Sequence, residues 1–293
     1  IFVNLKIQSM ILGSALIVWC VYERKYLRSI AKKIFSDYKM IASILISLFI
    51  IGYPIWARGG LVTLQYQNND IIFYLSSMDW LSNHNLLESV EFSVNSQYFW
   101  GASFMINQSR FGADLIGAFF MNLFQLQSHQ IFSVVSVSYA MAGGLVCVFI
   151  SEHVLKIPRR YGWAVLLIIM GCSTWSELLV FQYMPQILGI SSLLAFFAFL
   201  YVFMWEDRDK HFLMVSLSII GTLTIYAEFA LYLLVIYLIA VIVKLCSKSN
   251  KVGERTTILK KVILAGIIAF IMNPLGLYKA AKYNFSILDR VVN

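Results

Sequence analysis

Charge is scarce in this 293-residue chain: 13% of the residues are Asp, Glu, Lys or Arg, against 60% hydrophobic and a mean hydropathy of +0.76. Soluble domains carry about a quarter charged residues, so an aqueous globular fold is excluded. Proline is rare as well, with four in the chain, which leaves long runs free to be helical. The four cysteines (Cys20, Cys147, Cys172 and Cys246) lie within or at the ends of apolar runs and form no CxxC pair. Neither a disulfide framework nor a zinc signature is present. HExxH, GxGxxG and GxxxxGK[ST] patterns do not occur either, which removes the common soluble-enzyme motifs. The chain opens on Ile without a secretory leader and closes on a short polar tail. It reads as an N-terminal membrane-domain fragment of something longer.

What the chain has in abundance is apolar runs, several of them near the roughly 20 residues that cross a bilayer. They fall at about 5–22, 40–57, 129–153, 161–180, 185–205, 211–227, 229–247 and 261–278. A segment in lipid must satisfy its backbone internally, so each is read as a helix. The expected fold is all-α: one polytopic transmembrane bundle of about eight spans covering residues 1–293. Pro185 and Pro274 fall at or inside runs, and a kink is expected near each. Ala140 and Gly144, four apart, put small residues on one helix face and predict close packing there.

The formal charge of +8 could suggest nucleic acid, but its placement argues otherwise. Seventeen of the 23 Lys and Arg sit in four intervals, 22–39, 156–160, 206–210 and 244–261, which share a side if the runs alternate. The positive-inside rule makes that side cytoplasmic. Residues 58–128 then form one large external loop. Within it, apolar residues at 71, 74, 75, 78 and 81 follow one-face helical spacing, and Asn69 or Asp70 stands where an N-cap would. An amphipathic helix is expected over about 70–88, lying on the membrane surface. A second, interfacial or re-entrant helix is expected over about 112–126, since its apolar stretch is too short to span.

Acids divide unevenly over this topology. Asp70, Asp79, Glu88, Glu91, Asp114, Glu177, Glu228 and Asp289 fall on the outer side, with few basic residues near them in sequence. Glu177 and Glu228 are embedded in apolar surroundings, where an ionisable group is costly and marks a candidate site. Asp70 at a helix start would be held ionised by backbone N–H groups, as a working base requires. Asp79 reads as a solvated face residue. Arg58 and Arg110, the basic residues of the long external loop, have guanidinium forks suited to a lipid phosphate. Each equally suits an interface anchor.

The order of these features resembles the GT-C superfamily of integral membrane glycosyltransferases. The likeness is carried by an early span, by the loop acid in Asn69-Asp70-Ile71-Ile72-Phe73-Tyr74-Leu75, by the juxtamembrane helices that follow, and by a string of short-looped spans entered through Arg110-Phe111-Gly112-Ala113-Asp114-Leu115. It implies sugar transfer from a polyprenyl-phosphate carrier to a glycan, lipid or protein acceptor on the outer face of a bacterial plasma membrane. Asp70 inherits the role of general base by position. Arg110, or Arg58, would stabilise the departing lipid phosphate, while Tyr74, Glu177 and Glu228 would line the sugar pocket. No cofactor or metal is expected beyond the lipid-linked donor, although a divalent ion is compatible with the family. The alternatives are a transporter or flippase of lipid-linked or small solutes, and a polysaccharide polymerase or ligase.

Overall fold

The computed structural model describes residues 37–57, 70–84, 111–181, 183–205, 212–246 and 252–274, with a few isolated positions besides. The described residues are helical throughout, and none forms a strand. In chain order the helices are α1 (Tyr38–Trp56), α2 (Asp70–Asn83), α3 (Phe111–Phe124), α4 (Ser128–His153), α5 (Gly162–Met170), α6 (Ser173–Val180), α7 (Met184–Trp205), α8 (Phe212–Ile225), α9 (Ala230–Cys246) and α10 (Val252–Met272). Single helical turns at Arg159–Tyr161 and Ala227–Phe229 lead into α5 and α9. The expected span at 5–22 and the loop segments 58–69 and 85–110 lie outside the described residues, as do Arg58 and Arg110.

Among the described residues, four helices are long and apolar enough to cross a membrane: Tyr38–Trp56, Ser128–His153, Met184–Trp205 and Ala227–Cys246. A fifth is added if α5 and α6, bent by 47° at their junction, count as one broken span. The sequence reading had that stretch continuous. The break comes at Gly171-Cys172, where glycine has low helix propensity and Cys172 takes an extended backbone. α9 exposes Leu231, Tyr232, Leu234, Leu238, Ile239 and Ile242 on its surface. In water such a stripe would aggregate; in lipid it is solvated.

Local rules place the helix ends. Asp37 caps α1, its Oδ1 accepting the Met40 N–H at 3.1 Å. Pro185 sits in the first turn of α7, where its missing N–H costs nothing, and Pro274 lies just past the end of α10. Neither kinks a described helix interior; the proline inside a helix is Pro54, near the end of α1. α10 starts nine residues earlier than the apolar run at 261, because Glu254, Arg255, Lys260 and Lys261 are good helix formers.

α4 is the central element, packing on α7, α5, α3, α1, α2 and α6. Its small-residue face permits this. A Cβ on Gly143 would lie 2.6 Å from Ser191 Oγ and 2.9 Å from the Trp175 ring, and one on Gly144 would strike Met170. Ala140 is wholly buried, and Ser191 donates to the Tyr139 carbonyl at 2.8 Å.

The two ends of the bundle differ in charge. At one end the start of α1, the end of α4 and the start of α5 meet around Gly162, which faces Val148 and Met40. Lys156 lies over Tyr201 and Lys244 over Trp205 at this same end. Lys39, Arg159 and Arg160 join them by position, so this is the basic end. At the other end α2 meets the start of α4, and α8 meets α3, α7 and α10. Asp79, Asp114, Glu177 and Glu228 belong to it.

Gly143→Leu is expected to destabilise the detergent-solubilised protein by about 1–3 kcal/mol, the usual cost of overpacking. Asp37→Ala should cost about 1 kcal/mol as a lost cap. Thermal unfolding followed by circular dichroism checks both.

Candidate functional site

At the acidic end, α2 and α3 form a pair seated on the start of α4. α2 buries Ile71, Tyr74, Met78 and Leu81, the face that the apolar spacing marks, while Ile72 on the other side is 44% exposed. Leu75 packs partly buried against the same core. The helix runs from Asp70 to Asn83, shorter than the 70–88 expected from the sequence. Ser82 Oγ and Asn83 Nδ2 both donate to the Asp79 carbonyl, at 2.7 and 3.1 Å, and close its last turn. The buried face makes α2 an integral part of the bundle.

α3 is held by close backbone approach. A Cβ on Gly112 would stand 2.5 Å from the Thr224 carbonyl oxygen of α8, a rigid neighbour that cannot step aside. One turn on, Gly117 lies under the Met78 side chain of α2. Asn122 then donates to the Ser82 carbonyl at 3.2 Å. The pairs 117/78 and 122/82 run in the same sense, so α2 and α3 lie parallel. At a rise of about 1.5 Å per residue, Asp114 stands level with Leu75, and Asp70 lies about 7.5 Å further toward the same end of the pair.

Asp114 is the unusual group of this site. It has no exposed area, and neither carboxyl oxygen has a hydrogen-bond partner among the described residues. Gln186 Oε1, in the first turn of α7, is buried without a partner as well. α3 packs on α2, α4, α8 and α7, so Asp114 is enclosed by the bundle rather than by lipid headgroups. An unpaired buried polar group of this kind costs on the order of 1–3 kcal/mol, and more when charged. The sequence reading counted Asp114 among the outer acids and gave it no role. The available signal was an acid inside Gly112-Ala113-Asp114-Leu115-Ile116-Gly117, whose small residues invite close packing around it.

A second acid is tied down across the α2–α4 junction. Ser128, the first residue of α4, donates its hydroxyl to Asp79 Oδ2 at 3.1 Å. Burial raises the Asp79 carboxyl above its ordinary value of 3.8, and the Ser128 hydrogen bond and the nearby His129 pull it partly back. Asp79 is therefore half-buried and bonded, not the solvated face residue that spacing alone suggested. The Ser128 hydroxyl points to the carboxylate and not to an imidazole, which does not match a nucleophile–histidine–acid relay.

The remaining expected site residues are dispersed. Tyr74 has no exposed area and stacks on Phe132 of α4 with centroids 6.2 Å apart, so its ring serves the core. Glu177 is exposed on α6, which packs on α1, α7 and α4. Glu228 is partly buried in the turn Ala227–Phe229, against α8 and α9. Among the described residues, no three His, Cys, Asp or Glu side chains gather as a metal ion would need.

The raised Asp79 value has a defined consequence for stability. Its folded form holds the proton more tightly than its unfolded form. Protonation therefore contributes stability that is fully present below about 3.8 and is lost as pH rises through the elevated folded value. Asp79→Asn should remove that part of the pH dependence of the melting temperature, and Ser128→Ala should extend it to higher pH. Melting curves across the acidic range, wild type against variants, decide the matter.

No family model matches the sequence, and no curated protein or solved structure matches the chain.

Proposed function

We propose that this chain is a multi-pass membrane glycosyltransferase that moves a sugar from a polyprenyl-phosphate carrier to an acceptor at the acidic end of the bundle. That end faces away from the cytoplasm, since the basic end obeys the positive-inside rule. The observation that carries the proposal is Asp114: a carboxyl enclosed at the start of a short apolar helix, without a partner among the described residues. Ionisable groups at such depth are kept for proton transfer or for recognising a polar substrate. A chain of about eight spans, with residues 58–128 as an external segment, is the frame we propose for it.

Asp70, at the first residue of α2, is assigned as the general base that takes the acceptor hydroxyl proton. Asp114 is assigned to hydrogen-bond the sugar or the acceptor, with Glu228 at the edge of the site. Arg110, immediately before α3, and Arg58 are assigned to the donor phosphate. Helix N-termini also favour a phosphate, and α3 begins directly after Arg110.

A transporter reading has one observation in its favour. The α5–α6 pair is a broken helix, bent 47° beside the middle of α4, and discontinuous helices line the sites of secondary transporters. A transferase forms a covalent product, whereas a transporter only moves solute, and this separates the two.

The test uses the purified full chain in lipid nanodiscs with radiolabelled polyprenyl-phosphate sugar. Asp70→Asn should lower transfer by about 100-fold or more, as expected for loss of a general base, with donor binding unchanged. Asp114→Asn should lower transfer while preserving the melting temperature, because burial pushes the carboxyl well above its ordinary value and the neutral amide has the same shape as the protonated acid. Unaltered transfer in both variants would refute these assignments. Solute uptake by proteoliposomes without any covalent product would establish the transporter reading instead.

A further inference from the structure

The basic end carries a groove that the transfer site does not use. It lies between α7 and α9, has a volume of about 240 Å³, and is lined by apolar side chains including Leu200, Tyr201, Trp205, Ile236, Ala240 and Val243. No polar surface of its lining residues faces the groove, so it offers water no hydrogen-bond partners, and a hydrocarbon chain fits its chemistry. Tyr201 and Trp205 stack on each other with centroids 5.1 Å apart and planes 11° apart, forming one aromatic wall.

Two cations stand on that wall. Lys244 Nζ lies 5.7 Å from the Trp205 ring centroid, and Lys156 Nζ lies 6.0 Å from that of Tyr201. The lysines come from different elements, the end of α9 and the turn after α4. Lys156 is held in the left-handed backbone region at φ 57°, which a non-glycine residue rarely adopts. Trp, Tyr and Lys at a helix end mark the level of lipid headgroups. The groove therefore begins at headgroup depth, beneath two positive charges, and continues along the apolar flanks of α7 and α9.

We infer that this groove holds one anionic phospholipid of the surrounding bilayer, with its headgroup at the level of Lys156 and Lys244 and an acyl chain against Leu200, Ala240 and Val243. Charge complementarity selects the anionic headgroup: each lysine near a membrane surface is worth about fivefold in anionic lipid affinity. The inference needs only a membrane protein with this groove, and it stands or falls independently of sugar transfer.

The full chain is reconstituted in phosphatidylcholine bilayers containing a small fraction of chain-brominated phosphatidylglycerol, or the same fraction of chain-brominated phosphatidylcholine. Bromine quenches nearby tryptophan, and the Trp205 share is the difference between wild type and Trp205→Phe. Quenching of that share should be several-fold stronger with the brominated phosphatidylglycerol. The double substitution Lys156→Gln and Lys244→Gln should reduce it to the phosphatidylcholine level without changing the melting temperature. Ala240→Phe, which fills the groove, should abolish the preference while the lysines remain. Equal quenching by the two lipids, or a preference that survives the double substitution, overturns the inference. Displacement by polyprenyl phosphate at concentrations where phosphatidylglycerol fails to compete would overturn it too, since the groove would then be a site for substrate lipid.

Discussion

Two adjacent glycines set how closely this bundle can close. Gly143 and Gly144 present bare backbone on neighbouring faces of α4, and Trp175, Ser191 and Met170 occupy the space that their side chains would take. Between helices in lipid there is no hydrophobic drive, so association depends on such close contact and on hydrogen bonds between helices. The Ser191 hydroxyl donating to the Tyr139 carbonyl of α4 adds one of these at the same crossing. α5, α6 and α7 all take their positions from α4, and α2 and α3 rest on its first turns.

That arrangement leaves the two ends of the molecule chemically opposite. The basic end is a set of lysines and arginines standing beside aromatic rings, a device for holding helix ends at a charged membrane surface. The acidic end is a packed layer of short helices in which Asp79 and Glu228 are partly buried and Asp114 wholly so, while Glu177 stays exposed. Asp79 is bonded to Ser128 there, whereas Asp114 has no partner among the described residues. The contrast separates a structural acid from a candidate working one. An acid already satisfied by its fold has little left to offer a substrate, and one that is unsatisfied has its full hydrogen-bonding capacity in reserve.

Parts of this were legible in the residues. The spacing of Ile71, Tyr74, Met78 and Leu81 predicts the buried face of α2, because a helical face is a local property. The boundaries of α1, α4, α7 and α9 follow closely from the apolar runs for the same reason. The Ala140–Gly144 spacing gives the contact face of α4. Other features were misread. The stretch at 161–180 looks continuous by hydropathy, yet it breaks at Gly171-Cys172, where backbone preference outweighs apolar character. Tyr74, which the resemblance places in the sugar pocket, lies beneath the helix with its ring on Phe132.

The sequence by itself determined that the chain is helical, that several of its helices suit lipid, and which face of α2 turns inward. These properties follow from neighbours three and four residues apart and from composition. Only the tertiary structure decided which acid is buried. Asp79 reaches a serine 49 positions away, and Asp114 is enclosed because Gly112 lets its helix lie against the backbone of residue 224. Burial of a carboxyl group is set by which distant segments close over it, and no local spacing encodes that.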